Sequence, residues 1–244
     1  MSRDTIDVVL VHPELLGLYG DRGNALALRH RARARDLDVR LVEVVAGEPV
    51  PVSADLYLVG GGEDASMVLS HRLLVEDGGL QRALENGAAC LAVCAGLQML
   101  SQEFTGPDGA VRRGLGILDV RCPRLTGARA VGEVVVRATG PVPGPILGFE
   151  NHQGAAVLGP GARPLGHVET GVGNGHEQQE GAIQGRVVAT YLHGPVLVRN
   201  PGLADHLLEM VTGRELEEFV DPPVDRLRRE RLRAAGPRRL LGRL

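Results

Sequence analysis

The run Ala88-Ala89-Cys90-Leu91-Ala92-Val93 is apolar at every position and passes without a break into Cys94-Ala95-Gly96-Leu97-Gln98. A strand with no polar face has to be covered on both sides, which is the situation of a parallel sheet lying between helices. The neighbouring segments agree. Ile6 to Val11, Val39 to Val45 and Asp55 to Val59 read as strands, while Ala25 to Arg35 and Glu63 to Asn86 carry a helical pattern. Strands alternating with helices predict an α/β fold. After Gly106 the chain changes to short extended pieces punctuated by Gly and Pro: Gly116 to Val120, Val131 to Arg137, Ile146 to Glu150, Leu165 to Glu169 and Val187 to Leu192. Helical pattern returns at Leu203 to Val211 and near Glu215. These segments predict a mostly parallel sheet flanked by helices, with an antiparallel extension in the second half. Residues 1–212 are expected to form one domain and 213–244 a helical, basic tail.

Cys94 stands where that apolar strand meets a helix. Such a turn is tight and lifts its side chain out of the core, so small residues are needed two positions to either side, and Ala92 and Gly96 supply them. The helix N-terminus that follows is expected to favour thiolate and to offer backbone N–H groups to a developing oxyanion. Cys90 and Cys122 lack this setting and read as structural. A nucleophilic cysteine wants a base. His193 closes the strand Val187 to Leu192, and parallel strands bring their carboxyl ends to one edge. His30 and His71 sit in helical, Arg-rich surroundings and His206 in the terminal helix; His12, His152, His167 and His176 remain open by position. Gly60-Gly61-Gly62 ends another strand, where exposed N–H groups can approach a tetrahedral intermediate because no Cβ intervenes.

All 27 cationic side chains among the 244 residues are arginines. Without lysine, a Walker-type phosphate loop and Schiff-base chemistry are excluded by their usual routes. A net charge of −3 and six aromatics, none of them Trp, speak against general nucleic-acid binding. Three scattered cysteines fit a reducing compartment and form no metal cage. No signal-peptide pattern opens the chain and no apolar run reaches the roughly 18 residues of a membrane span, so a cytoplasmic protein without metal is expected. Residues 224–244 hold eight arginines against Asp225 and Glu230, a local charge of +6. That tail reads as a solvated end, the alternative being contact with an acidic partner or the anionic inner membrane face.

Gly60-Gly61-Gly62-Glu63-Asp64, Cys94-Ala95-Gly96-Leu97-Gln98 and Tyr191-Leu192-His193-Gly194-Pro195, in this order and spacing, resemble class I glutamine amidotransferases of the cobyric-acid-synthase-like branch. Tyr19 to Asn24, Gly114 to Asp119, Arg124 to Gly127, Gly148 to His152 and Tyr191 to Asn200 narrow the resemblance to the glutaminase subunits of lipid II isoglutaminyl synthases. It implies a flavodoxin-like core and a set of roles. Cys94 would attack the carboxamide of L-glutamine to form a thioester. His193 would move the protons, and the N–H groups of Ala95 and of Gly61 or Gly62 would hold the oxyanion. Gln98 and Arg124 would position the substrate. The resemblance further implies a separate Mur-ligase-like partner carrying ATP and Mg²⁺, which would use the released ammonia to amidate the D-glutamate α-carboxyl of lipid II; this chain would carry no cofactor. Two other readings are a glutaminase component for a cobyric-acid-type synthetase and a catalytically silent regulatory module. Pro195 stands where triad enzymes often carry Glu, so a Cys-His dyad or a third group from elsewhere is expected, and Ala92 replaces the commoner Gly. Asn24 is expected to cap the helix that follows it.

Overall fold

A computed structural model describes residues 5–17 and 20–235. The first half runs β1 (Thr5–Val11), α1 (Pro13–Leu16), α2 (Arg22–Arg33), β2 (Asp38–Val44), β3 (Leu56–Val59), α3 (Asp64–Asp77), α4 (Gly79–Glu85), β4 (Ala89–Val93) and α5 (Ala95–Leu100). The second continues with β5 (Glu103–Thr105), β6 (Val111–Arg113), β7 (Val120–Cys122), β8 (Ala130–Ala138), β9 (Pro145–His152), β10 (Val157–Leu158) and β11 (Gly166–Thr170). It ends with β12 (Gln179–Glu180), β13 (Ala182–Gln184), β14 (Val187–Thr190), α6 (Val196–Arg199), α7 (Pro201–Thr212) and α8 (Pro222–Ala235).

Six strands make the central sheet in the order β13-β14-β4-β3-β1-β2. All neighbours in it are parallel except β13, which runs antiparallel to β14 and supplies the expected extension. The other strands of the second half form two separate four-stranded sheets, β10-β7-β5-β6 and β12-β11-β8-β9. Every residue of β3, β4 and β14 is buried, as their almost wholly apolar sequences require, Thr190 at the end of β14 being the polar exception. From β1 the chain steps to β2 on one side and then crosses back to β3 and β4 on the other. The direction of winding therefore reverses between β1 and β3, and ligand sites of such sheets lie beyond the carboxyl ends of the strands at this reversal.

Four local expectations give way to backbone geometry. The helical stretch over 63–86 breaks at Gly78, whose φ of 64° forms a left-handed C-cap for α3. Residues 116–119 turn instead of extending: Gly116 has φ 70°, and the N–H groups of Ile117 and Leu118 both reach the Leu100 carbonyl. No helix forms at Glu215; the chain becomes helical again at Pro222, a residue suited to the first turn. Asn24 lies inside α2, with Asp21 at the N-cap position.

The basic tail is not simply solvated. In α8, the Arg228 guanidinium donates to the carbonyls of Pro145 and Arg199 and to Asn200 Oδ1, while Arg226, Arg229 and Arg233 are exposed. The segment leading into α8 is held by Arg31, which pairs with Asp205 at 2.6 Å and lies 5.1 Å from the Phe219 ring centroid. Residues 236–244, with the last three arginines of the tail, and Tyr19 of the Tyr19 to Asn24 motif lie outside the described residues.

Candidate active site

Three buried parallel strands deliver the three sequence-predicted elements to one edge. Val59 is paired with Ala92, and Val93 with Thr190, so Gly60 to Gly62, Cys94 and His193 all leave the sheet at the same level. Cys94 has φ 52° and ψ −100°, an unfavourable conformation for a residue with a side chain, costing on the order of 1–3 kcal/mol. Hydrogen bonds on both sides hold it: its N–H donates to the Thr190 carbonyl at 2.7 Å, and its carbonyl accepts from Gln98 N–H at 3.1 Å. Gly96 is required by packing, since a Cβ there would stand 2.4 Å from the Val59 carbonyl oxygen.

Gly61 lies between the sulfur-bearing residue and the imidazole. A Cβ built on it would meet His193 Cε1 at 2.6 Å and Cys94 Cβ at 3.5 Å, so both side chains flank the same point. His193 is only 2% exposed, and its backbone is fixed to β9 by reciprocal bonds with Phe149 of 2.8 and 3.0 Å. Of the two candidate donors in the glycine loop, Gly61 already gives its N–H to Asp21 Oδ2 at 2.8 Å. Gly62 lines the open cleft beside Cys94, together with Gln98, Arg124, Arg129 and His152.

The expectation of a thiolate is not met. Burial pushes the Cys94 thiol up to about 12, with the charge of Asp21 adding to the rise; the Ala95 N–H and the Arg129 cation oppose it without prevailing. The six residues of α5 are too short a dipole to offset desolvation of that size. Burial likewise pulls His193 down to about 4, with His152 and Arg129 acting in the same direction. A neutral thiol therefore faces a neutral imidazole. Iodoacetamide alkylation of Cys94 in the isolated chain should accordingly climb with pH through 9 and 10 without levelling, because the thiolate fraction keeps growing toward 12. A plateau near the ordinary thiol value of about 8.5 would contradict this reading; the rate is followed by mass spectrometry of the Cys94 peptide.

The structure also sorts the remaining candidates. Gln98 packs against Gly154, where a Cβ would come within 2.3 Å of its Nε2, and Arg124 is paired through its backbone with the same glycine. Among the histidines left open by position, His152 joins the cleft. It donates from Nδ1 to the Gly154 carbonyl at 2.7 Å and stacks on Tyr191 with centroids 4.0 Å apart. His12 is turned away to Ser70 Oγ at 2.9 Å, His30 to Asp221 and His71 to the edge of Phe104. Burial also raises the Cys122 thiol to about 12 and pushes that of Cys90 up, as it does for Cys94; what separates the two is that neither lines the cleft, which fits structural roles. Arg129 is the residue that sequence reasoning missed. It grips Asn151 through Nε at 2.6 Å and Nη2 at 3.0 Å, lines the same cleft as Arg124, and acts electrostatically on both Cys94 and His193. The available signal was its partner, Asn151, which belongs to the motif Gly148 to His152.

A strained cysteine beside an imidazole, next to a cleft carrying two arginines, is suited to acyl transfer from a substrate with a carboxylate. A family model of the CobB/CobQ-like glutamine amidotransferase domain matches residues 7–201. The chain belongs to this family. Among curated relatives, the lipid II isoglutaminyl synthase (glutamine-hydrolyzing) subunit GatD of Staphylococcus aureus is 37% identical over 213 residues, 86% of each chain. GatD of Streptococcus pneumoniae is 28% identical over 89% of this chain and 85% of its own. The cobyric acid synthase of Sphingopyxis alaskensis is 31% identical over 77% of this chain but only 39% of its own length. A crystal structure of a glutamine amidotransferase superposes with a TM-score of 0.57 at 22% identity, covering 84% of this chain and 98% of that one, so the two share a fold.

Proposed function

We propose that this chain is the glutaminase subunit of a lipid II isoglutaminyl synthase. The observation that carries the reading is the strained Cys94 facing His193 across Gly61, within a chain whose GatD relatives match it over most of its length. The Cys94 sulfur adds to the carboxamide carbon of L-glutamine as its proton passes to His193. The resulting oxyanion takes hydrogen bonds from the N–H groups of Ala95 and Gly62. His193 returns the proton to the departing nitrogen, ammonia leaves, and a thioester remains. Water, deprotonated by His193, then releases glutamate and restores the thiol.

Because thiol and imidazole both start neutral, proton transfer accompanies attack instead of preceding it. Arg124 and Arg129 present two cations from which the substrate carboxylate takes its orientation, with Gln98 lining the same cleft. Amidating a carboxylate needs ATP, and with no lysine on this chain the phosphate chemistry belongs to a partner. That partner is a Mur-ligase-like subunit holding ATP and Mg²⁺, and the ammonia is consumed on the D-glutamate α-carboxyl of lipid II. The reaction is then cytoplasmic. Among the described residues no helix is long and apolar enough to cross a membrane.

Treatment with the glutamine-analogue electrophile diazo-oxo-norleucine should modify Cys94 alone among the three cysteines, with L-glutamine protecting it. Labelling of Cys90 or Cys122 instead, or no protection, would remove the glutaminase assignment.

A further inference from the structure

The motif around Asp21 takes no part in the chemistry just described, yet it touches two of the three loops that build the site. Asp21 Oδ2 accepts the Gly61 N–H at 2.8 Å, and Asp21 Oδ1 accepts from Asn24 Nδ2 at 3.3 Å. Asn24 Oδ1 in turn accepts the Leu197 N–H at 2.9 Å, at the start of the helix that follows His193. These bonds form one buried chain from the glycine loop to the histidine turn, through residues that are 7% and 1% exposed. Packing runs in parallel: a Cβ on Gly23 would stand 2.3 Å from Pro195 Cγ, so the bare glycine backbone seats Pro195 directly.

We infer that the first turn of α2 is a clamp that sets the spacing between the oxyanion loop and the histidine turn, with Asp21 and Asn24 as positioning residues. The inference rests on the glutaminase reading and adds to it a means of holding the machinery together. Electrostatics argues for a positioning role. A carboxylate beside Cys94 opposes formation of the thiolate, and burial raises Asp21 itself to about 6, so its charge is adverse on both counts. Its hydrogen bonds to Gly61 and Asn24 are what account for its place. The clamp also gives Pro195 a function. Unable to orient an imidazole, it is instead the apolar foot by which the histidine turn rests on α2.

The test compares Asp21→Ala, Asp21→Asn, Asn24→Ala and the Asp21→Ala/Asn24→Ala double variant as complexes with the synthetase partner. In each alanine variant kcat for glutamine hydrolysis should fall by roughly 10- to 100-fold, as expected when reacting groups shift by about an ångström, with KM for glutamine changed by less than about threefold. The double variant should lose little more than the worse single one, since both break the same connection. Asp21→Asn keeps an acceptor for Gly61 and should recover most of the loss. Hydrogen exchange supplies a readout independent of activity: each alanine variant should speed exchange in peptides covering both 60–62 and 196–199. Additive losses of kcat, or faster exchange confined to the segment nearest the substitution, would overturn the clamp. If the unmodified complex hydrolysed no glutamine, the glutaminase reading would fall, and the exchange pattern would still decide the clamp.

Discussion

Replacing Cys94 by alanine should lower glutamine-dependent amidation by the complex by a factor on the order of 10⁴–10⁶, the scale of losing a covalent nucleophile, and leave amidation from added ammonium salts largely intact. The separation follows from the architecture. Cys94 is the N-cap residue of α5 and contributes its side chain to the cleft, while its backbone bonds to Thr190 and Gln98 need no sulfur. Alanine keeps those bonds and the strained turn, so folding and docking to the partner should survive. The measurement is product formation with glutamine and with ammonium chloride as alternative nitrogen sources. Equal loss from both sources would show that Cys94 serves the complex structurally and would sink the proposed division of labour.

The second large effect belongs to a residue with no side chain. Gly61→Ala places a methyl group 2.6 Å from His193 Cε1 and 3.5 Å from Cys94 Cβ, between the two groups that have to exchange a proton. The imidazole is buried and its backbone is fixed to Phe149, so the strain has to appear in the relative placement of ring and sulfur. A loss of about 100-fold in kcat is expected from displacement on the ångström scale, with roughly 1–3 kcal/mol of destabilisation from overpacking. Gly132→Ala is the control, because a Cβ there meets nothing within 4 Å. Steady-state kinetics together with thermal unfolding distinguish the outcomes. A Gly61→Ala protein of undiminished kcat would mean that the proton does not pass between Cys94 and His193 beside this glycine.

What could be read from the sequence was whatever chemistry writes locally. The apolar β4, the small residues around Cys94 and the three glycines after β3 are short-range patterns, and the rule that parallel strands end at one edge was enough to bring His193 to them. The limits are equally physical. Asp21 meets Gly61 forty positions away and Asn24 meets Leu197 across 173, contacts that no periodicity announces. Arg124 and Arg129 look alike in a loop; the hydrogen bonds from Arg129 to Asn151 and its action on Cys94 and His193 set it apart. Burial reversed the expectation for the thiol, because desolvation depends on everything packed around a group, whereas a helix N-terminus can be recognised from its own few residues. The break at Gly78 was within reach, since paired glycines after Asp77 are a turn signal.

The neutral pairing of Cys94 and His193 has a consequence for the life of the protein. Peroxide and disulfide exchange attack thiolates, not thiols. A sulfur held almost wholly protonated by its surroundings resists oxidation to sulfenic acid even while it waits for substrate. Burial thus slows the unassisted nucleophile and, by the same desolvation, its reaction with peroxide.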